Sequence, residues 1–375
     1  MQSRVVDTSF MLRAVELARL GQYTTAPNPC VGCVIVNGQG DIVGEGFHQQ
    51  AGTPHAEVHA LRAADTRARG ATAYVTLEPC SHHGRTGPCA DALVEAGISR
   101  VVVAVQDPNP LVAGQGIAKL QAAGIEVSLG IAEPEATAIN RGFIKRMLTG
   151  RPFVTLKLAA SVDGRTALKN GQSQWITGPE ARRDVHIQRA KHCAILTGAD
   201  TVLVDDPQLT VRVPTDKLYP KELQHLPQRQ PTRVIIDSKN RLHSQLQIMS
   251  QEGQTIVANC TENSGLAHLA PAQVLQWQIA KQQDYLDLPR LLTRMGQAEF
   301  NSVWLECGHR LAGAMLSAGL VDEIIVYQAP KLMGHQAQSL IMLPDYDSMQ
   351  QVPEFNLSAV ERLGNDLKLV LKQYT

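Results

Sequence analysis

Three short stretches in the first third of the chain constrain it most: His55-Ala56-Glu57, Glu78-Pro79-Cys80 and Pro88-Cys89. One imidazole and two thiolates give Zn²⁺ three protein ligands and leave a fourth position for water, the pattern of a reactive rather than a structural site. Glu57, two residues past the histidine, is placed to move protons without binding the metal. Groups so far apart in sequence can meet only if the chain between them folds back to one point. The apolar pattern predicts how. A helix spans Phe10 to Leu20, and strands Val31–Val36 and Ile42–Phe47 flank the hairpin signal Asn37-Gly38-Gln39-Gly40. A helix runs from about His55 to Ala64 and a strand from Ala73 to Leu77. A second helix, Cys89–Ala96, opens after Pro88 and stops at Gly97. Strand Val101–Val105, helix Gly116–Ala123 and strand Ile125–Leu129 complete a mixed sheet covered by helices. The ligands then fall at helix starts and a strand end, where ligands gather in α/β sheets and helix dipoles favour thiolates.

A lone His-x-Glu is nearly uninformative, and a buried cysteine is more often a small core residue than a ligand. The three pieces in order are another matter. They form the signature of zinc-dependent base deaminases, in which metal-activated hydroxide attacks an amino-bearing ring carbon and the glutamate shuttles protons. The usual second half is Pro-Cys-x-x-Cys; here Ser81 to Pro88 separate the two cysteines. His82 and His83 in that longer loop are ligands by type, and equally substrate contacts or neither. Cys30-Val31-Gly32-Cys33 imitates a redox pair or half a zinc ribbon. No second Cys-x-x-Cys completes it and Cys33 runs into Val34-Ile35-Val36, so both read as buried or strand-edge thiols.

At 375 residues the chain holds two or three domains. Thirty-five basic residues balance thirty-five acidic ones and aromatics make up only 4%, which argues against nucleic acid and for a small-molecule substrate. No apolar run suits a bilayer, and the N-terminus lacks the apolar core of a signal peptide, so a cytoplasmic, membrane-free protein is expected. Seven cysteines, an odd number, read as reduced thiols, including Cys193, Cys260 and Cys307.

Thr149-Gly150-Arg151-Pro152, after the basic helix end Lys145-Arg146, marks a junction at which the halves should be separable. Beyond it, Phe153–Leu158 is a strand turning at Asp163-Gly164. Thr177-Gly178-Pro179-Glu180 opens a helix with the threonine as cap. Further strands are Ala194–Thr197, Arg233–Ile236, Thr255–Ala258, Val303–Glu306, Glu323–Tyr327 and Lys368–Lys372. Residues 214–231 read as a surface excursion, while 240–253 and 261–300 resist assignment. No Gly-x-Gly-x-x-Gly follows a strand. Two strands do end in glycine turns that open helices, at Thr197-Gly198 and Glu306-Cys307-Gly308, and their exposed N–H groups suit a phosphate. Ordinary loops have the same form.

Several motifs carry a resemblance. Pro27-Asn28-Pro29, His55-Ala56-Glu57, the Cys80–Cys89 loop and Gln106-Asp107-Pro108-Asn109-Pro110 resemble the deaminase half of the bifunctional riboflavin biosynthesis deaminase–reductases. Lys157-Leu158-Ala159-x-Ser161-x-Asp163-Gly164, Trp175-Ile176-Thr177, the run from Gly198 to Thr210, and Leu305-Glu306-x-Gly308 resemble their reductase half. The match spans about residues 9 to 330 and is thinnest over the Gln-rich stretches near 240–300.

The resemblance implies a cytidine-deaminase-like domain over 1–148 and a dihydrofolate-reductase-like α/β domain over 152–375 that uses NADPH. It implies deamination of 2,5-diamino-6-ribosylamino-4(3H)-pyrimidinone 5′-phosphate, then reduction of the ribosyl group to ribityl. His55, Cys80 and Cys89 would hold zinc and Glu57 would be catalytic. Ser173, Arg189, Leu209, Arg212 and Glu306 would contact the reductase substrate. Ala159, Trp175, Thr201, Asp205, Ser238 and the turn Gly308, His309, Arg310, Leu311, Ala312, Gly313, Ala314 would contact NADPH. It also implies a homo-oligomer, a dimer first. Two rivals remain: a stand-alone deaminase with an accessory domain, and a zinc-stabilised RNA-associated protein. The first leaves the second-half motifs unexplained, and the net charge of zero opposes the second.

Overall fold

A computed structural model describes residues 2–81, 87–110 and 112–373. The chain divides into two compact units, Met1–Gly150 with Tyr219–Pro227, and Arg151–Leu218 with Gln228–Thr375.

The first unit contains α1 (Gln2–Leu20), β1 (Gly32–Val36), β2 (Ile42–Phe47), α2 (Ala56–Ala64), β3 (Thr72–Val75), α3 (Cys89–Glu95), β4 (Arg100–Val103), α4 (Gln115–Ala122), β5 (Glu126–Leu129) and α5 (Glu133–Thr149). Its sheet runs β2-β1-β3-β4-β5, with β1 antiparallel to β2 and β3 and the rest parallel. Strand residues alternate sides, so Ile35, Val75, Val101 and Val103 pack in one core with Ala56, Ala60 and Leu93 of the covering helices. The alanine stripe lets α2 lie unusually close to β2: a Cβ on Gly46 would come within 2.5 Å of Ala56 O. That approach fixes the start of α2, where His55 sits.

Helix α1 starts eight residues before the expected Phe10. Its early turns are held by polar contacts that apolar spacing does not report. Asp7, only 5% exposed, accepts from Arg100 Nη1 at 2.8 Å, Arg100 Nη2 at 2.9 Å and Tyr74 Oη at 2.8 Å. Helix α5 ends on Gly150 at φ 70°, whose N–H bonds to Arg146 O.

The second unit is built on β6 (Phe153–Ser161), β8 (Ala194–Gly198), β9 (Thr232–Ile236), β10 (Thr255–Asn259), β11 (Val274–Gln278), β14 (Ser302–Glu306), β15 (Glu323–Ala329), β17 (Phe355–Leu363) and β18 (Asp366–Gln373). Two short ladders join β7 (Arg165–Ala167) to β16 (Gln338–Ser339) and β12 (Lys281–Gln282) to β13 (Tyr285–Leu286). The helices are α6 (Pro179–Lys191), α7 (Ala199–Asp205), α8 (Leu288–Gln297) and α9 (His309–Ser317). The large sheet runs β11-β10-β9-β8-β14-β6-β15-β18-β17, parallel up to β15 and antiparallel beyond. From β6 the chain skips a place to β8, moves outward to β11, and returns to insert β14 in the gap. That reversal makes a switch point at the carboxyl ends of β8, β14 and β6, where open α/β sheets bind ligands.

Two expectations need correction. Gly178, not Thr177, is the N-cap of α6; its own N–H donates to Asp366 Oδ2 at 2.6 Å, so a carboxylate distant in sequence satisfies a backbone donor at the helix start. Residues 214–231 are not wholly a surface excursion. Tyr219–Pro227 belongs to the first unit, with Tyr219 and Leu223 buried and the Tyr219 ring stacked on Tyr23 at 6.1 Å. Among the described residues no helix is long and apolar enough to cross a membrane.

Candidate active sites

His55 caps α2, Cys80 follows β3, and Cys89 is the first residue of α3. His55 Nδ1 lies 3.6 Å from Cys80 Sγ and 3.3 Å from Cys89 Sγ, and the Cys89 N–H donates to Cys80 Sγ at 3.3 Å. One ligand atom from each lies within 4.8 Å of the others. The donor chemistry suits zinc. The Cys89 thiol hydrogen-bonds Cys80 and, with His55, pulls the Cys80 thiol down to about 4, while Cys89 keeps its proton and is pushed up. The pair thus favours a thiolate at Cys80, the form in which a cysteine binds a cation.

Glu57, in the first turn of α2, is 3% exposed. Burial raises its carboxyl, which lies within electrostatic reach of His55 and both cysteines. A carboxylate raised by burial is suited to accept a proton and return it.

Supporting groups carry no ligand signal in sequence. Glu78 accepts from the N–H groups of Asp107, Gly114, Gly116 and Ile117 at 2.9 to 3.2 Å, tying the Cys80 loop to the start of α4. Only glycine fits at 116, since a Cβ there would lie 1.9 Å from Pro79 O. His48 packs edge-on against the His55 ring at 5.3 Å and contacts Asn28 Nδ2 at 3.1 Å. Cys30 and Cys33 are buried, and neither belongs to the donor cluster. His82 and His83 lie outside the described residues.

In the second unit most of the expected residues line the carboxyl ends of the parallel strands. Ala159 is on β6, Thr201 and Asp205 on α7 after β8, Ser238 just after β9, Glu306 at the end of β14, and Gly308–Ala314 opens α9. Gly308 and Thr201 face each other, for a Cβ on the glycine would lie 3.8 Å from Thr201 Oγ1. Arg189 of α6 makes a two-pronged pair with Glu306, Nε to Oε1 at 2.6 Å and Nη2 to Oε2 at 2.9 Å, and Trp304 Nε1 donates to the same carboxylate at 2.7 Å. Burial alone would raise Glu306; the Arg189 guanidinium outweighs it and holds the carboxyl down to about 2. Arg189 is therefore a carboxylate fork here, and the exposed Arg212 carries the open positive charge.

Lys157 lies on β6 within electrostatic reach of Asp205, Glu306 and Cys307. Asp205 is partly exposed, and enough protein surrounds its carboxyl to raise it against the pull of Lys157. Ser238 Oγ accepts from Leu286 N at 3.1 Å, holding the β12–β13 hairpin.

Ser173 and Trp175 stand apart from this group. They line a cavity of about 380 Å³ with Gln172, Lys331 and Met333, which none of the other expected residues lines. Trp175 is 64% exposed, with Arg182 Cζ 4.7 Å over its ring and Lys331 Nζ donating to its carbonyl at 2.6 Å. Asp163 accepts from Met333 N and Gly334 N, fixing the arm that forms the cavity's other wall.

Comparison with known proteins agrees with this division. Residues 4–105 match the cytidine and deoxycytidylate deaminase zinc-binding region, and residues 152–369 the RibD C-terminal domain. The riboflavin biosynthesis protein RibD of Escherichia coli (strain K12) is 53% identical over 370 residues, covering 97% of this chain and 99% of that protein. The structure of Acinetobacter baumannii RibD superposes with a TM-score of 0.91 at 45% identity, covering 99% of this chain and all of that one. A Thermotoga maritima diaminohydroxyphosphoribosylaminopyrimidine deaminase/5-amino-6-(5-phosphoribosylamino)uracil reductase gives 0.85 at 34% identity, covering 99% of this chain and 100% of that one.

Fold and site thus define a zinc-binding deaminase joined to a reductase homologous to NADPH-using enzymes. More narrowly, the chain belongs to the RibD family, the bifunctional deaminase–reductases of riboflavin biosynthesis.

Proposed function

We propose that the two units catalyse consecutive steps on one phosphorylated pyrimidine. The first replaces the 2-amino group of 2,5-diamino-6-ribosylamino-4(3H)-pyrimidinone 5′-phosphate by oxygen, consuming water and releasing ammonia. The second reduces the ribosyl group of the resulting 5-amino-6-(5-phosphoribosylamino)uracil to ribityl. The observation that carries this reading is the convergence of His55, Cys80 and Cys89 beside the buried Glu57, in a chain whose second unit gathers its own residues at a switch point.

In this reading His55, Cys80 and Cys89 hold zinc, which when bound supplies Lewis-acid activation of the attacking water. Glu57 accepts a proton from that water and delivers it to the departing amine. In the second unit NADPH, when bound, supplies the hydride for the sugar C1. Thr201, Ser238 and the Gly308–Ala314 turn seat the cofactor together with Ala159, and Trp175 contributes from the cavity it shares with Ser173. Arg212 meets the sugar phosphate beside Leu209, the buried Arg189–Glu306 pair holds the loop that carries Arg212 and borders the sugar, and Ser173 adds a contact from the cavity it lines. The ring oxygen released from C1 takes a proton, and Asp205 gives it; the raised carboxyl pKa within electrostatic reach of Lys157 supports this reading. The deaminase domain is 1–148 with 219–227, and the reductase domain is the rest of 152–375, a reading supported by the division of the chain at Gly150. The protein acts as a cytoplasmic homodimer without nucleic acid; the exposed length of β17 at the sheet edge supports pairing.

The test is to incubate purified protein with the diamino substrate, with and without NADPH, and follow products by mass. Without NADPH only the deaminated compound should accumulate, and adding NADPH should convert it to the ribityl product. A reduced product that keeps both amino groups would reverse the proposed order.

A further inference from the structure

The loop carrying Arg212 is pinned residue by residue. It leaves α7 through Asp206 and Leu209 at φ 38° and 49°, left-handed conformations that such side chains hold only when their surroundings impose them. Gln247 N donates to Asp206 Oδ1 at 2.8 Å. Arg189 Nη1 donates to Thr210 O at 3.0 Å. Gln230 grips Val211 with both ends of its amide, Oε1 accepting from Val211 N at 2.8 Å and Nε2 donating to Val211 O at 3.3 Å. The Arg212 guanidinium then donates through Nη1 to Gln208 Oε1 at 3.1 Å and Thr210 Oγ1 at 3.2 Å, two neutral groups that aim the charge without cancelling it.

His186 closes this set from α6, one turn before Arg189. Its Nδ1 lies 3.1 Å from Thr210 O and 3.3 Å from Arg212 N. Burial, then the Arg189 and Arg212 guanidiniums, lower the imidazole to about 4, so at neutral pH it is uncharged and carries one N–H. Whichever nitrogen holds the proton, Nδ1 pins the loop: it donates to the Thr210 carbonyl in one tautomer and accepts from the Arg212 N–H in the other.

We infer that His186 is a positioning residue for the reduction, fixing the strained 209–212 backbone with Gln230 so that Arg212 meets the substrate phosphate. This rests on the reading of Arg212 as a substrate contact. A guanidinium must be placed before it can bind a phosphate in a two-pronged way, and a loop free to relax its left-handed residues would carry Arg212 away.

The experiment measures reductase kinetics and NADPH affinity of the full chain in His186→Ala, His186→Asn, Gln230→Met and Arg212→Ala. His186→Ala should raise KM for the ribosylamino substrate about tenfold, the loss of one or two hydrogen bonds. Its kcat should stay within about twofold and its NADPH affinity and deamination should not change. His186→Asn places an amide nitrogen or oxygen near the Nδ1 position and should recover most of the loss. Gln230→Met should repeat the KM effect from the other side of the loop, and serves if His186→Ala folds poorly. A raised KM in Arg212→Ala with none in His186→Ala and Gln230→Met would overturn the positioning role. An equal fall in kcat and NADPH affinity, with no recovery in His186→Asn, would also overturn it by marking a general structural defect. An unchanged KM in Arg212→Ala would instead sink the reading of Arg212 itself, and the positioning role with it.

Discussion

Glu57 and the three metal donors separate binding from chemistry at single residues. Glu57→Gln keeps the size of the side chain and removes none of the three metal donors, so the protein should retain its zinc while deamination is lost. His55→Ala, Cys80→Ala or Cys89→Ala leaves two ligands and should lose the metal. Metal analysis of the purified variants distinguishes the cases, and a metal-free, well-folded Glu57→Gln protein would show the glutamate to be misassigned. Glu306 offers a second residue-scale test. A carboxyl whose pKa falls on folding contributes stability that is full above its unfolded value near 4.5 and is lost as pH drops through about 2. That loss should be about 3 kcal/mol. All three tryptophans, Trp175, Trp277 and Trp304, belong to the second unit, so their fluorescence in urea reports it alone. Wild type should weaken between pH 4.5 and 2, whereas Glu306→Gln should start lower, with Arg189 left without its carboxylate, and lose less over that window.

Elements place those residues, and they differ in how far sequence foretells them. The apolar runs of β1, β3 and β4 and the helix starts at His55 and Cys89 could be read directly, because their burial follows from local pattern. Helix α1 began early because Asp7 finds Arg100 and Tyr74, partners far away in sequence. Helix α8 hid in a Gln-rich stretch, although its signals were present: Asp287 accepts from Arg290 N at 2.9 Å, Pro289 lies in the first turn, and Leu291, Leu292 and Met295 form the buried face. Among the site residues, the metal donors were readable because zinc demands particular atoms. Glu78, Asp163 and His186 were not, since they act on backbone groups of loops whose approach only the fold determines. The cap on α8 makes a local prediction: Asp287→Ala should lower the stability of the second unit by about 1 kcal/mol. The urea midpoint from tryptophan fluorescence checks it. At the strand ends, Lys157→Met should slow reduction while leaving NADPH affinity nearly intact, because the ammonium lies within electrostatic reach of Asp205 and Glu306; comparing kcat with cofactor titration decides this.

At the scale of the whole chain, the junction at Gly150 is real as a backbone feature but is not the entire boundary of the first unit. Tyr219–Pro227 completes that unit from within the second half of the sequence, and Leu223 is fully buried there. A fragment ending near residue 148 therefore lacks part of its own core, and the simple separation suggested by the turn residues should yield a deaminase less stable than the intact protein's. Leu223→Ala in the full chain tests this without cutting. Removing a buried leucine side chain typically costs about 2 to 5 kcal/mol, and here the cost should fall on the first unit. Heat inactivation of deamination should shift to lower temperature, while the tryptophan transition of the second unit and the reductase rate stay close to wild type. A lowered tryptophan transition with unchanged deaminase inactivation would mean that the segment belongs energetically to the reductase, and that a cut at Gly150 spares the deaminase after all.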